Sequence, residues 1–184
     1  HADITELRTA DGKKCYIYLV VDNYSRYITS WRVSHKICAK TRIDTFKETM
    51  INAGLKPCQN LITELIVDGG TENNNKSVEA FIENKPLKKS IAGKDILKSN
   101  SMVESINKVL KYNYLFPRNI QNKTQLINVM KNVVIPDYND KRPHGSLHGL
   151  TPLEAYGKRK VNFKKIREKM KEAYVQRIEF NRTH

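Results

Sequence analysis

Apolar residues along this chain fall in short, separated clusters whose spacing switches between strand-like and helix-like. Asp3 to Thr9 reads as a short strand, and Ala10-Asp11-Gly12-Lys13 supplies turn residues before the run from Cys15 to Asp22, so a hairpin is predicted. Within that run Tyr16-Ile17-Tyr18-Leu19-Val20-Val21 hardly alternates, the pattern of a strand covered on both faces. A polar turn, Asn23-Tyr24-Ser25-Arg26, leads to a third antiparallel strand from Tyr27 to Ser34. Thr41 is placed to cap a helix that reaches Ala53, with Ile43, Phe46, Met50 and Ile51 near helical spacing and Gly54 as its stop.

The second part of the chain alternates strands with helices. Leu61 to Val67 is apolar and β-branched enough for a central parallel strand, and Asp68-Gly69-Gly70 permits a sharp exit from it. A short helix around Ser77 to Glu83 and a strand from Leu87 to Ala92 complete a βαβ-like unit. Gly93 to Ser99 has no clear period and reads as a mobile loop. A helix follows from Asn100 to Tyr114, and another from Lys123 to Asn139 with Leu126, Ile127, Met130, Val133 and Val134 as its apolar side, which Pro136 should kink or end. Thr151-Pro152-Leu153-Glu154 has capping-box spacing with Pro at the first helical position, and the basic tail from Asn162 onward is helical in pattern. The element order is therefore β-β-β-α-β-α-β-α, with further helices behind it.

A chain of 184 residues supports one substantial core, read as residues 1–157, with 158–184 as a basic helical extension. Thirty-three Lys and Arg against 19 Asp and Glu give a net charge of +14, which suits a polyanionic partner such as nucleic acid; an anionic membrane surface would also be attracted. No apolar run is long enough to span a bilayer, and His1-Ala2-Asp3 lacks the regions of a secretory signal, so a soluble protein with no membrane partner is expected. The absence of an initial Met, inside a strand pattern, predicts a larger parent protein. Cys15, Cys38 and Cys58 form neither a Cys-x-x-Cys pair nor a zinc spacing; they read as free thiols in a reducing cytoplasm, Cys15 as a small core residue.

Phosphodiester chemistry by two metal ions needs oxygen ligands that converge from separate elements. Asp3 on the first strand, Asp68 at the end of the fourth and Glu104 one turn into a helix meet that requirement, with 35 residues between Asp68 and Glu104. Singly, each reads as an ordinary solvated carboxylate; as a set they become candidates. Asn100, Glu104, Asn107, Lys108 and Lys111 recur at helical spacings and share a face, either a plain wet face or one that holds phosphates beside the carboxylates. Asp22 reads as a turn-stabilising residue, His144 as a structural hydrogen-bonding group or a DNA contact, and Arg142 as a buried or phosphate-facing partner.

These residues resemble, in order, the motifs of the retroviral integrase superfamily and especially of bacterial insertion-sequence transposases of the Asp-Asp-Glu type. Asp3-Ile4-Thr5 is similar to the first-strand motif, Val21-Asp22-Asn23-Tyr24-Ser25-Arg26-Tyr27-Ile28 to the strand and turn that follow, and Asp68 to the second carboxylate. Asn100 to Lys108 resembles the third motif, and Tyr138-Asn139-Asp140-Lys141-Arg142-Pro143-His144 with Leu147 and Leu150 to Glu154 resembles the signature that ends the core. Gly69 departs from the pattern, which usually has Asn after the second Asp. The resemblance implies a ribonuclease-H-like α/β fold, a five-stranded mixed sheet with helices on both faces. It implies Asp3, Asp68 and Glu104 as catalytic and metal-binding residues for two Mg²⁺ or Mn²⁺ ions, and Asn100, Asn107, Lys108, Lys111, Arg142 and His144 as nucleic-acid contacts. The implied activity is DNA cleavage followed by 3′-hydroxyl strand transfer, performed by a homo-oligomer on DNA in a bacterial cytoplasm. A ribonuclease-H-like nuclease and a catalytically silent DNA-binding or assembly module are the alternatives.

Overall fold

The run that fails to alternate, Tyr16 to Val21, lies in the second strand from one edge of a five-stranded sheet and is covered on both sides. The computed structural model describes residues 1–55, 62–70, 73, 75–83, 85–93, 100–157 and 163–183. Its strands are β1 (Ala2–Arg8), β2 (Lys14–Val21), β3 (Ile28–Ser34), β4 (Thr63–Val67) and β5 (Leu87–Ile91). They lie in the order β3-β2-β1-β4-β5. The first three are antiparallel, and β4 and β5 run parallel to β1. This is the predicted five-stranded mixed sheet.

Alternation sorts the side chains of each strand between two cores. Leu7, Ile17, Leu19 and Val21 face one side, where they meet Val103, Ile106 and Leu110 and the stripe Leu126, Met130, Val134 and Tyr138. These come from α3 (Ser101–Val109), which continues in wide turns to Leu115, and α4 (Lys123–Val129), which continues to Lys141. Ala2, Val20, Leu65 and Val67 face the other side and pack on Phe46 of α1 (Ala39–Asn52) and on Val78 and Ile82 of α2 (Lys76–Glu83). Helices therefore cover both faces.

Two helix expectations are corrected. Thr41 does not cap α1: Cys38, with extended backbone, takes that position without a side-chain cap, and Thr41 lies inside the helix, where its carbonyl accepts from the Thr45 hydroxyl at 2.7 Å. Pro136 neither ends nor visibly breaks α4, because it holds helical dihedrals (φ −62°, ψ −42°) between two stretches of wide, i→i+5 turns. Such turns leave room for a ring that lacks an N–H. They also explain the apolar stripe: residues four apart drift around an ordinary α-helix, and interspersed wider turns reverse the drift. Val133 is accordingly exposed, and Tyr138 takes the buried position.

Thr151 caps α5 (Pro152–Tyr156) as its spacing predicts, with the Glu154 carboxylate accepting from the Thr151 amide and the Thr151 hydroxyl from the Glu154 amide. Tyr156 stacks on Tyr27 at 4.6 Å between ring centroids, tying α5 to the start of β3. The tail forms α6 (Phe163–Thr183), on which Met170, Tyr174 and Phe180 are exposed. Cys15 is buried in the core as expected. Leu61, Cys58, Asn162 and most of the loop expected over Gly93 to Ser99 lie outside the described residues.

Candidate active site

The register alone brings two of the candidate carboxylates together. Ala2 of β1 pairs with Val67 of β4, so Asp3 and Asp68, one residue further along each strand, sit side by side at one end of the sheet. Parallel pairing next to a strand that ends in Gly69-Gly70 opens that end, because neither glycine brings a side chain to fill it. The third carboxylate arrives on α3, whose apolar side (Val103, Ile106) seats it on the sheet and leaves Glu104 exposed one turn from its start. An acidic group in the first turn is also favoured by the helix dipole.

Both other carboxylates act on Asp3. Burial pushes the Asp3 carboxyl up to about 6, with Asp68 and Glu104 adding to the rise, while a backbone hydrogen bond at Ile4 and the Arg42 guanidinium oppose it. Arg42 is fully buried on α1, its guanidinium over the Tyr18 and Phe46 rings at 5.2 and 5.6 Å. Asn107 donates from its amide to Oδ2 of Asp3 at 2.5 Å. Asp68 is held in the same manner: Asn73 donates to its Oδ1 at 2.5 Å and to its carbonyl at 3.3 Å.

The remaining candidates divide into three groups. Lys108 is exposed and Lys111 half-buried along α3 beyond Glu104, open to a ligand that approaches the carboxylates. Asn100 and Asn107 are 7% and 6% exposed, and their amides are used inside the protein. Asn100 donates to the Ala2 carbonyl at 3.2 Å and Asn107 binds Asp3, so both are directed at β1 rather than at solvent. The face drawn from helical spacing is thus two faces, one polar and buried against β1, the other charged and open. Arg142 and His144 lie in the segment after α4. The Asn113 amide oxygen accepts from both Arg142 Nη atoms at 3.2 Å, and His144 Nδ1 shares a hydrogen bond with the Ser146 hydroxyl at 3.0 Å. Burial lowers the His144 pKa, and Arg26 and Arg142 lower it further, which favours the neutral ring. Asp22 is confirmed as a turn residue, accepting from the Ser25 amide at 2.8 Å and hydroxyl at 2.6 Å.

Sequence reasoning missed Asn73, Arg42 and Asn139. Asn139 is 2% exposed and binds both backbone groups of Ile28, accepting from its amide at 3.0 Å and donating to its carbonyl at 3.1 Å. Nothing in the run Asn73-Asn74-Asn75 distinguishes the buried asparagine from its neighbours.

Among the described residues, no three or more His, Cys, Asp or Glu side chains, these carboxylates included, are gathered closely enough to hold a metal ion as they stand. The chemistry of the three carboxylates nonetheless fits a hard divalent cation: all donors are oxygen, and Asp3 carries a repulsion that a cation would relieve. No helix among the described residues is long and apolar enough to cross a membrane.

Comparison with known proteins agrees with this fold. The sequence matches the integrase core domain family over residues 1–94 and again over residues 97–152. It is 27% identical over 150 residues to the transposase InsF for insertion sequence IS3A of Escherichia coli, covering 82% of this chain and 50% of the relative. The transposase InsF for insertion sequence IS3 of another Escherichia coli strain gives the same figures. The chain thus spans about half the length of the curated relatives it matches. The fold is similar to the HTLV-2 integrase catalytic core domain, solved in complex with magnesium, with TM-score 0.63, 18% identity, and 84% and 93% of the two chains covered. It is also similar to a chain of the simian T-cell lymphotropic virus intasome solved in complex with PP2A regulatory subunit B56 gamma, with TM-score 0.66, 14% identity, and 88% and 54% of the two chains covered.

Proposed function

The chain belongs to the integrase core domain family, and from that premise we propose that it is the catalytic core of a metal-dependent DNA transposase that cuts and joins strands. The observation that carries this reading is the Ala2–Val67 register between β1 and β4, with Asp3 and Asp68 one residue further along each strand and Glu104 in the first turn of α3. Asp3, Asp68 and Glu104 would hold Mg²⁺ or Mn²⁺, two ions in the active complex. Such ions, when bound, lower the pKa of the attacking oxygen and neutralise charge on the phosphate.

The protein's own side chains contribute position and charge. Asn107 and Asn73 fix the two aspartates, while exposed Glu104 has the rotameric freedom to turn toward them. Lys108 and Lys111 continue the open side of α3 and would hold phosphates of the bound strand, with Arg142 and His144 as additional contacts. In the first step water attacks the phosphorus at the element end and the bond to the 3′-oxygen breaks, freeing a 3′-hydroxyl. In the second that hydroxyl attacks a target phosphorus and the bond from that phosphorus to the target's own 3′-oxygen breaks, so joining repeats the displacement with a different nucleophile. The net charge of +14 favours DNA on electrostatic grounds. The bacterial transposase relatives favour action on DNA in a bacterial cytoplasm, and the HTLV-2 integrase catalytic core, solved in trimeric and dimeric forms, favours a homo-oligomer.

The test is a strand-transfer assay of the full-length parent on its own element ends, beside variants with Asp3, Asp68 or Glu104 changed to Asn or Gln. Joined products that disappear in all three variants support the reading. Cleavage without joining makes the protein a nuclease, and neither activity in the parent makes it a binding module.

A further inference from the structure

Gly69 gives Asp68 no neighbouring side chain to lean on, and a Cβ added there would meet nothing within 4 Å. The hold on Asp68 comes instead from five residues away. Asn73 is 0% exposed, and its amide reaches Asp68 Oδ1 at 2.5 Å and the Asp68 carbonyl at 3.3 Å. The Gly70 amide also donates to Oδ1, at 3.3 Å. Two donors converging on Oδ1 fix the carboxylate plane and so the direction of Oδ2. Asn73 is itself anchored: its backbone carbonyl accepts from Lys89 Nζ of β5 at 2.9 Å, and that ammonium pairs with Glu79 of α2 at 3.3 Å. The Lys89 side chain is only 15% exposed, so this ion pair is partly shielded from solvent on its cationic side.

We propose that Asn73 is a positioning residue for Asp68, held by Lys89 and Glu79, and that it aims the second carboxylate toward the shared cation site. This rests on the reading of Asp68 as a metal ligand. Groups that orient a ligand from behind typically contribute about 10- to 100-fold in metal affinity. Glu79, Lys89 and Asn73 form one chain of contacts, so loosening it at either end acts on the same carboxylate.

The experiment titrates this chain with Mn²⁺ and reads free Mn²⁺ by electron paramagnetic resonance, with metal-free melting as the control for folding. Asn73→Leu keeps the volume and removes the donor; Asn73→Ala removes both. Each is expected to weaken Mn²⁺ binding about tenfold or more while melting near the parent without metal. Lys89→Met, which leaves the asparagine in place, is expected to weaken it about threefold, below the range for a direct ligand contact. Parental affinity in the folded Asn73 variants, alongside loss of affinity in Asp68→Asn, overturns the inference and leaves the catalytic reading standing. Parental affinity in Asp68→Asn overturns both. If the Asn73 variants do not fold, Lys89→Met decides: weaker binding supports the inference and unchanged binding overturns it.

Discussion

Asn107 and Asp3, 104 positions apart in sequence, are joined by a hydrogen bond of 2.5 Å from amide to carboxylate. It ties the first strand to the helix that carries Glu104, so the geometry of one acid is set by the element that delivers another. Because Asn107 is buried, its loss should act through Asp3 and not through DNA affinity. Asn107→Leu is expected to lower the strand-transfer rate about 10- to 100-fold, the range seen when a ligand's orienting partner is removed, with DNA affinity within a factor of about two of the parent. Filter binding beside the rate measurement separates the two; a large loss of affinity at unchanged rate would make Asn107 a DNA contact instead.

The raised Asp3 pKa carries a pH dependence in metal-free protein. Its folded value of about 6 lies above the ordinary 3.8, so between these values the folded state holds a proton that the unfolded state has released. Stability from this group is therefore fully present below about pH 4 and declines as pH rises toward 6. Asp3→Asn should remove that decline and raise stability at pH 7 relative to the parent. Urea denaturation in chelator from pH 4.5 to 7 checks it: parallel curves for parent and variant would place Asp3 in an unperturbed environment.

Much of the fold was legible because it follows from local pattern. Non-alternating Tyr16 to Val21 announces a doubly covered strand, Thr151 to Glu154 announces a capped helix, and the structure has both. Asp68 is legible as the residue after a strand that stops before Gly69-Gly70, but its place beside Asp3 depends on the Ala2–Val67 register, which parallel pairing alone does not dictate. What stayed hidden depends on long-range contact. Periodicity assigns Asn100, Glu104 and Asn107 to one polar face but cannot say that β1 covers part of it. Asn73 and Asn139 look like surface asparagines because their partners, Asp68 and Ile28, are fixed only once the sheet has formed. Pro136 misleads for a related reason: the wide turns that accommodate it are stabilised by a stripe of buried side chains, not by local propensity.

Lys108 and Lys111 offer a direct test of the open side of α3. Lys108 is exposed and Lys111 half-buried, and surface substitutions of this kind usually change stability by about 0.5 kcal/mol or less, so the Lys108→Ala/Lys111→Ala double variant should melt close to the parent. It should bind DNA more weakly, with a salt dependence shallower by roughly two phosphate contacts. If the parent neutralises about six phosphates, its own affinity should fall roughly a thousandfold between about 50 and 200 mM salt. Salt titrations of both proteins on one duplex are the measurement. Identical slopes and affinities would remove these lysines from the interface.

Asn139 mimics a neighbouring strand for the first residue of β3, pairing with both the amide and the carbonyl of Ile28. Asn139→Ala leaves two buried backbone groups without these partners, each at about 1 to 3 kcal/mol. A loss of roughly 2 to 4 kcal/mol in chemical denaturation is expected. A loss below about 0.5 kcal/mol would mean that water replaces the amide at no net cost.

Asp68→Asn joins metal and stability in one variant. Carboxylates close enough to share cations repel one another without them, and here Asp68 and Glu104 both raise the Asp3 pKa. Replacing Asp68 by Asn removes one charge with little change of shape, and its amide oxygen can still accept from Asn73. The metal-free variant should therefore be at least as stable as the parent, yet almost inactive. If the parent binds Mg²⁺ with a Kd near 1 mM (~1 mM), ten times that concentration adds roughly 1.4 kcal/mol to its stability. For a chain of this size that is a melting shift of about 3 to 6 °C, at roughly 2 to 4 °C per kcal/mol. The variant should show much less. Thermal melts with and without Mg²⁺, beside a Mn²⁺-dependent strand-transfer assay, separate the possibilities. Full activity together with a full metal shift in Asp68→Asn would remove Asp68 from the site, whereas a variant that fails to fold would make it structural.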